Sequence, residues 1–299
     1  MSAPSHEHAL ASVIIPAHDE EAVIGRLLDA LGEGLDGARL DVVVACNGCS
    51  DGTAAVARAR GVRVVEIAEA SKIAALDAGD AAATTFPRLY VDADVVLTGG
   101  AVASVVRTLA APGVHYASPP GVMDTAGRPW AVRAFFDLWA AVPTGDDSPV
   151  GSGVFAFDEA GRGRFGAWPP VVADDLFARV LFAREERRVV PTDPVVVEAP
   201  WTVRALVRRR TRVYAGNMEV AAHPELGRLP GLAERRAPWW RAVQAHPRLA
   251  LEAVPYLAVN TVAKLAARRA VRRAAPLAWG RDETTRRASP AAPTHGTAS

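Results

Sequence analysis

The stretch SVIIPAHDEEAVIGRLL (12–28) decides the fold. Ser12 to Pro16 is a short run rich in β-branched residues, the composition of a buried strand. From Glu20 to Leu31 the apolar residues Val23, Leu27, Leu28 and Leu31 then recur at helical spacing. The same rhythm repeats outward. Leu40 to Ala45 reads as a strand, Ala54 to Arg60 as a helix after a glycine-rich turn, and Val62 to Ile67 as a strand. Lys72 to Ala83 follows as a helix and Leu89 to Val91 as a fourth strand. Strand, turn and helix in alternation predict an α/β fold with a mostly parallel twisted sheet. Such a Rossmann-like half gathers the loops after its strands on one edge, where ligands bind in open α/β sheets.

Beyond residue 110 the alternation breaks down. Short apolar runs, Val154 to Phe157 and Val195 to Val197, mix with a loop at Pro143 to Pro149 and with helical patterns. The expected helices are Trp130 to Val142, Asp174 to Glu186 and Trp201 to Tyr214. This half reads as an elaboration packed on the first sheet, so that 10–225 form one domain. Leu249 to Arg273 is a longer helical pattern interrupted by Pro255, and 226–280 are assigned to a C-terminal helical extension. Residues 281–299, rich in Ala, Pro, Ser and Thr, read as a disordered tail.

Half of the 299 residues are hydrophobic and 22% are charged, enough to bury a core and incompatible with a wholly disordered chain. The net charge of +1 gives no reason to expect nucleic acid as a partner. Two cysteines and a polar N-terminus without an apolar leader point to a reducing cytoplasm. Cys46 and Cys49 do form a lone C-x-x-C. With no second cysteine pair, half a zinc site or a redox role is the weaker reading.

Four groups of chemically capable residues stand at the expected strand ends. Pro16-Ala17-His18-Asp19-Glu20-Glu21 follows the first strand and Cys46-Asn47-Gly48-Cys49-Ser50-Asp51-Gly52-Thr53 the second. Ser71-Lys72 opens a helix that runs on to Asp77-Ala78-Gly79, and Asp92-Ala93-Asp94 follows the fourth strand. Here the sequence resembles the family-2 glycosyltransferases of GT-A fold, whose matching segments are P-A-Y-N-E-E, N-D-G-S-T-D-G-T, K-x-x-A-L-N-A-G and D-x-D. The resemblance continues through Gly151-Ser152-Gly153, Ala173-Asp174-Asp175-Leu176 (family E-D) and Arg209-Arg210-Thr211-Arg212-Val213 (family Q-x-x-R-W). Singly each motif is weak, but seven in order are strong.

The resemblance implies transfer of a sugar from a nucleotide-diphosphate donor to an acceptor hydroxyl. The leaving diphosphate concentrates charge that a hard divalent cation, Mg²⁺ or Mn²⁺, neutralises. By the family pattern Asp94 holds that metal, and Asp92 meets the ribose or the metal's water shell. Pro16, Ala17, His18, Glu20, Asn47 and Lys72 belong to the donor site. His18 stands where the family has a base-stacking aromatic residue, and Asn47 where it usually has Asp, so the donor base stays open. Lys72 meets a phosphate or the base edge. Asp175 is the general base that deprotonates the acceptor, with Asp174, Gly151, Ser152 and Gly153 on the acceptor side. Arg209 and Arg212, three apart on one helix face, suit bidentate recognition of phosphate. Val213 in place of the family's tryptophan favours a single transfer over processive elongation.

The acceptor is a sugar, a lipid-linked molecule or a small molecule. Lys264, Arg268, Arg269, Arg272 and Arg273 follow a moderately apolar helix that carries too many polar groups to span a bilayer. Two readings stay open for it: peripheral contact with an anionic inner membrane face, or packing on the catalytic domain with a solvated basic end. Two other functions compete with glycosyl transfer. A nucleotidyltransferase acting on a sugar phosphate would carry a glycine-rich loop with Arg and Lys after strand one, which Pro16 to Glu21 lacks. A non-catalytic nucleotide-sugar binder would draw its support from Asn47, Arg209 and Val213.

Overall fold

The computed structural model describes residues 9–142, 152–233 and 237–273; Gly151 and the expected tail lie outside the described residues. The first half follows the sequence rhythm: β1 (Ser12–Ala17), α1 (Ile24–Leu31), β2 (Asp41–Asn47), α2 (Thr53–Arg58), β3 (Arg63–Ile67), α3 (Lys72–Ala82), β4 (Arg88–Val91) and α4 (Gly99–Leu109). The second half adds β5 (Tyr116–Ser118), β6 (Gly121–Asp124), α5 (Trp130–Ala141), β7 (Val154–Phe157), α6 (Glu159–Arg162), α7 (Asp174–Val180), β8 (Arg187–Val189), β9 (Val195–Glu198), α8 (Val203–Ala222), α9 (Trp239–Ala245) and α10 (Ala253–Arg272).

Seven strands form one sheet in the order β3-β2-β1-β4-β7-β5-β8, and β6 pairs with β9 in a second, two-stranded sheet. β1 runs parallel to β2 and β4, and β2 to β3, whereas β7 is antiparallel to both β4 and β5. β1 shows how alternation divides the core between two faces. Val13, Ile15 and Ala17 pack with α1, α2 and α4, while Ile14 joins Leu76 of α3 and an aromatic group on the other face. Tyr90, Phe155, Phe157 and Trp168 meet in that group at centroid distances of 5.0 to 6.3 Å.

A buried acid ties this face together. Asp80 of α3 accepts from Tyr90 Oη at 2.7 Å, Arg88 Nη1 and Trp168 Nε1 at 2.8 Å, and Arg162 Nε at 2.9 Å. Arg88 and Tyr90 of β4, Arg162 of α6 and Trp168 thus share one carboxylate.

Three sequence expectations change. The helix from Asp174 stops at Val180; a 3₁₀ turn, Arg184–Glu186, then leads into β8, which pairs with β5. The helix expected over Trp201 to Tyr214 begins at Val203 and runs two turns further, to Ala222. Its capping residue is Thr202, whose side chain accepts from Ala205 N. Pro255 does not interrupt α10 but lies in its first turn, where no intrahelical N–H is lost. α10 packs its Val259 against Phe135 and Leu206 of α5 and α8, so the C-terminal helix is an integral part of the molecule's core.

Candidate active site

The C-terminal ends of β1, β2 and β4 are neighbours in the sheet, so the three loops that follow them share one edge. The turns after β1 and β2 are laced to each other. Asn47 is fully buried; its Nδ2 donates to Ala17 O at 2.8 Å. Its Oδ1 is buried with no hydrogen-bond partner, an acceptor left over after the fold has used the amide's donor. His18 Nδ1 lies 2.5 Å from Asn47 O, Glu20 N donates to Thr53 Oγ1 at 2.7 Å, and Gly52 N to Glu21 Oε2 at 2.9 Å. Pro16 is buried within β1, paired with Ala45, and Glu20 is buried behind it. Gly48 turns with φ +57°, and a Cβ there would stand 3.0 Å from Ala70 Cβ. Beside this turn lies a cavity of about 430 Å³ lined by Cys46, Gly48, Cys49, Glu66, Ile67 and Ala68. That is within the usual size of a small-molecule site.

At the end of β4, Asp92 and Asp94 differ in surroundings. Asp94 is exposed. Asp92 is held: its Oδ1 accepts from Lys72 Nζ at 2.8 Å, and its backbone N–H donates to Gly153 O at 2.8 Å. That second bond arises because β7 runs antiparallel to β4, so the entrance to β7 meets the exit of β4. Gly153 is a glycine for a reason: its φ is +71°, and a Cβ would approach Val95 Cγ2 to 2.7 Å. Ser152 is buried, with its hydroxyl donating to Val154 O at 3.1 Å and lying 3.3 Å from Ser118 Oγ.

Lys72 also reaches Asp174, with Nζ 2.9 Å from Oδ2. Burial alone would lower the ammonium pKa, but the charges of Asp174 and Asp92 outweigh it, and the net shift is upward. Asp174 is itself buried. Desolvation pushes its carboxyl up to about 6 against the pull of Lys72, with Asp175 and Asp92 adding to the rise. The capping residue of α7 is Ala173, without a side-chain bond, so Asp174 does not serve as an N-cap. Asp175 is half-buried next to it, its Oδ1 accepting from Leu176 N at 2.7 Å.

α8 supports this acidic pair from behind. Glu219 Oε2 accepts from Val172 N at 3.0 Å, and Gly216 lets the helix approach so closely that a Cβ would stand 3.0 Å from Ala173 Cβ. Neither residue was visible as functional in the sequence, since an acid and a glycine inside a helix carry no motif. Of the helix arginines, Arg209 donates to Glu198 O at 3.3 Å and Arg212 is half-buried. Arg210 turns the other way, toward Asn260 of α10 and the Tyr214 ring. The structure therefore brings Lys72, Asp92 and Asp174 together directly, with Asp175 adjoining, and links His18 with Asn47.

Comparison with known proteins bears on the fold that carries this arrangement. The model of Glycosyl transferase family 2 matches residues 12–145, the segment from β1 through α5. Among solved structures, a mannosyltransferase from Pyrobaculum calidifontis, in complex with GDP-Man and Mn²⁺, is similar with a TM-score of 0.56 and 24% identity. The match covers 91% of this chain and 77% of that one. Glucosyl-3-phosphoglycerate synthase from Mycobacterium tuberculosis gives a TM-score of 0.48 and 21% identity, over 63% of this chain and 70% of that one. A search among curated proteins returns no match. The order of the motifs and the sheet that carries them agree with the family match: residues 12–145 fit the glycosyl transferase family 2 model, and the fold is GT-A.

Proposed function

We propose that the chain transfers one sugar per encounter from a nucleoside-diphosphate sugar to an acceptor hydroxyl, with inversion and with a divalent cation. The observation that carries this reading is Lys72, whose ammonium joins Asp92 at the end of β4 to Asp174 at the start of α7. A donor over the β1, β2 and β4 loops and an acceptor arriving by α7 would meet beside that link. His18 and Asn47 would take the base, with the unpartnered Asn47 Oδ1 accepting from a ring or exocyclic N–H. Pro16, Ala17 and Glu20 shape that end, and Arg209 and Arg212 face the diphosphate or an acceptor phosphate.

Asp94 suits a hard cation. Mg²⁺ and Mn²⁺ take one or two carboxylates and fill the remaining positions with substrate phosphate and water, and Asp94 is an exposed carboxylate at the loop edge. The bound ion would supply charge neutralisation on the departing diphosphate. The protein's own part is proton transfer. Asp175 takes the acceptor proton as that oxygen bonds to the anomeric carbon and the bond from carbon to the diphosphate oxygen breaks. One displacement from the opposite side inverts the centre. Asp174, paired with Lys72, would position the acceptor beside its neighbour, along with the Ser152–Gly153 turn.

The mannosyltransferase relative was solved with GDP-Man and Mn²⁺. A panel of GDP- and UDP-sugars with Mn²⁺, read by thermal stabilisation and by transfer or slow hydrolysis, is therefore the first test. Asp94→Asn should lose metal-dependent donor binding. Asp175→Asn should bind donor within about 1 kcal/mol of the parent yet lose ~10²- to 10⁴-fold in rate. Full transfer by Asp175→Asn, or no donor bound by the parent, would overturn the reading.

For the acceptor, the outer face of α10 favours a lipid-linked molecule at an anionic inner membrane surface. Leu251 and Val254 are 73% and 67% exposed, and Leu257, Val262 and Leu265 continue the apolar row. Arg268 and Arg272 extend the same face by helical spacing. No helix among the described residues is long and apolar enough to cross a membrane.

A further inference from the structure

The C-x-x-C at Cys46 and Cys49 lacks a second cysteine pair in the sequence, but the fold supplies other partners. One ring nitrogen of His18, one carboxylate oxygen of Asp19 and the Cys49 sulfur lie within 4.8 Å of one another. All three side chains are half-buried. They come from the turns after β1 and β2, which the parallel pairing of those strands sets side by side.

The surrounding bonds orient the three groups as metal ligands are oriented. Asn47 O can only accept, so His18 Nδ1 at 2.5 Å carries the proton and Nε2 keeps the lone pair. A histidine that donates one N–H to a carbonyl and offers its other nitrogen is the usual ligating form. Asp19 Oδ1 accepts from Ser50 N at 2.6 Å and Ser50 Oγ at 3.2 Å, which fixes the carboxylate. Asp19 is also held at φ +50°, a left-handed backbone uncommon for a residue with a side chain. Asp19 N lies 3.4 Å from Cys49 Sγ as a donor. In a tetrahedral site with bonds of about 2.0–2.3 Å, ligand atoms sit about 3.5 Å apart, so closure needs a contraction of about 1 Å.

We propose that His18, Asp19 and Cys49 form a binding site for a borderline-soft divalent metal of the zinc class, chemically distinct from the hard-cation position at Asp94. Thiolate and imidazole ligands select such ions over Mg²⁺ and Mn²⁺. Binding replaces the Cys49 thiol proton with the metal and releases that proton to solvent. Three protein ligands leave a fourth position for water. Cys46, buried at the end of β2, is not one of the three converging groups.

The test uses the full chain without nucleotide sugar, so it succeeds or fails independently of the transferase reading. Co²⁺ is titrated into metal-free protein and the thiolate-to-cobalt charge-transfer absorption is recorded. One Co²⁺ per chain should bind, displaced by Zn²⁺ and indifferent to excess Mg²⁺. An oxygen-only site at Asp94 cannot give this band. Cys49→Ser should abolish it, His18→Gln should weaken Co²⁺ binding by about 100-fold or more, and Cys46→Ser and Asp94→Asn should leave it. Circular dichroism checks that each variant is folded. Absence of the band in the parent, its persistence in folded Cys49→Ser, or its loss in folded Cys46→Ser would overturn the proposal.

Discussion

Lys72 stands between two carboxylates, and Lys72 and Asp174 titrate under opposing influences. Asp174 has a folded pKa raised from 3.8 to about 6, chiefly by burial. The native state therefore holds that proton more tightly than the unfolded chain. The stability this contributes is full below about 3.8 and is lost as pH rises to about 6. Lys72, raised by its two acids, contributes stability that is present below 10.5 and lost only above that, in more alkaline solution. Because the ammonium pulls Asp174 down, Lys72→Met should move the Asp174 midpoint upward from about 6, read from its carboxyl ¹³C shift. A midpoint that stays or falls would mean that Lys72 does not hold this carboxylate. Sequence pattern assigned Lys72 to the donor and Asp174 to the acceptor. That they touch was illegible, because the contact depends on where α3 and α7 meet the sheet and not on either local motif.

At the scale of the element, α3 carries Lys72 and is seated on β1 by a glycine. A Cβ on Gly79 would lie 2.4 Å from Ile14 Cγ2. Alanine is the better helix former by about 1 kcal/mol, so an uncrowded helix would gain from Gly79→Ala. Here overpacking should dominate and destabilise by about 1–3 kcal/mol in urea unfolding. A stabilised variant would show that α3 does not sit so close. The first half was legible because its strands are β-branched runs and its helices are periodic. α7 and α8 were not bounded correctly for a tertiary reason. After Val180, Phe182 enters the aromatic core and Glu186 accepts from Ala183 N at 2.9 Å and pairs with Arg164. Those contacts bend the chain into β8 where helical spacing alone would have continued. α8 outruns its expected end because Gly216, Glu219 and Val220 brace α7, a demand that periodicity does not show.

Across the whole molecule, α10 has two working faces. Val259, Ala263 and Ala267 are buried, so packing on the catalytic domain is real, while the opposite face is apolar along its length and basic at its end. Packing thus accounts for one side of the helix, and membrane contact is proposed for the other. Anionic vesicles should sediment the protein at low salt and release it as salt is raised, while zwitterionic vesicles should not bind it. Reversing Arg268 and Arg272 to Glu should weaken binding by at least about 1 kcal/mol per residue. Equal sedimentation of that variant would assign the face to another partner.

The meeting of Ser118 and Ser152 has a consequence for how the protein can be re-engineered. β5 ends at Ser118 and β7 begins just after Ser152, and Ser118 Oγ donates to Val154 O at 2.8 Å. The chain thus leaves the sheet at Ser118 and returns to it at Ser152, where the two hydroxyls lie 3.3 Å apart. The outer partners of the stretch between them are β9 and, through α5, the helices α8 and α10. Lys72, Asp92 and Asp94 all lie outside that stretch, at the start of α3 and after β4. The molecule is therefore built like a fixed chassis with an exchangeable attachment. Under the proposed function, transplanting that stretch with its β9 and helical cover is the way to alter the acceptor while the residues at the end of β4 keep their places.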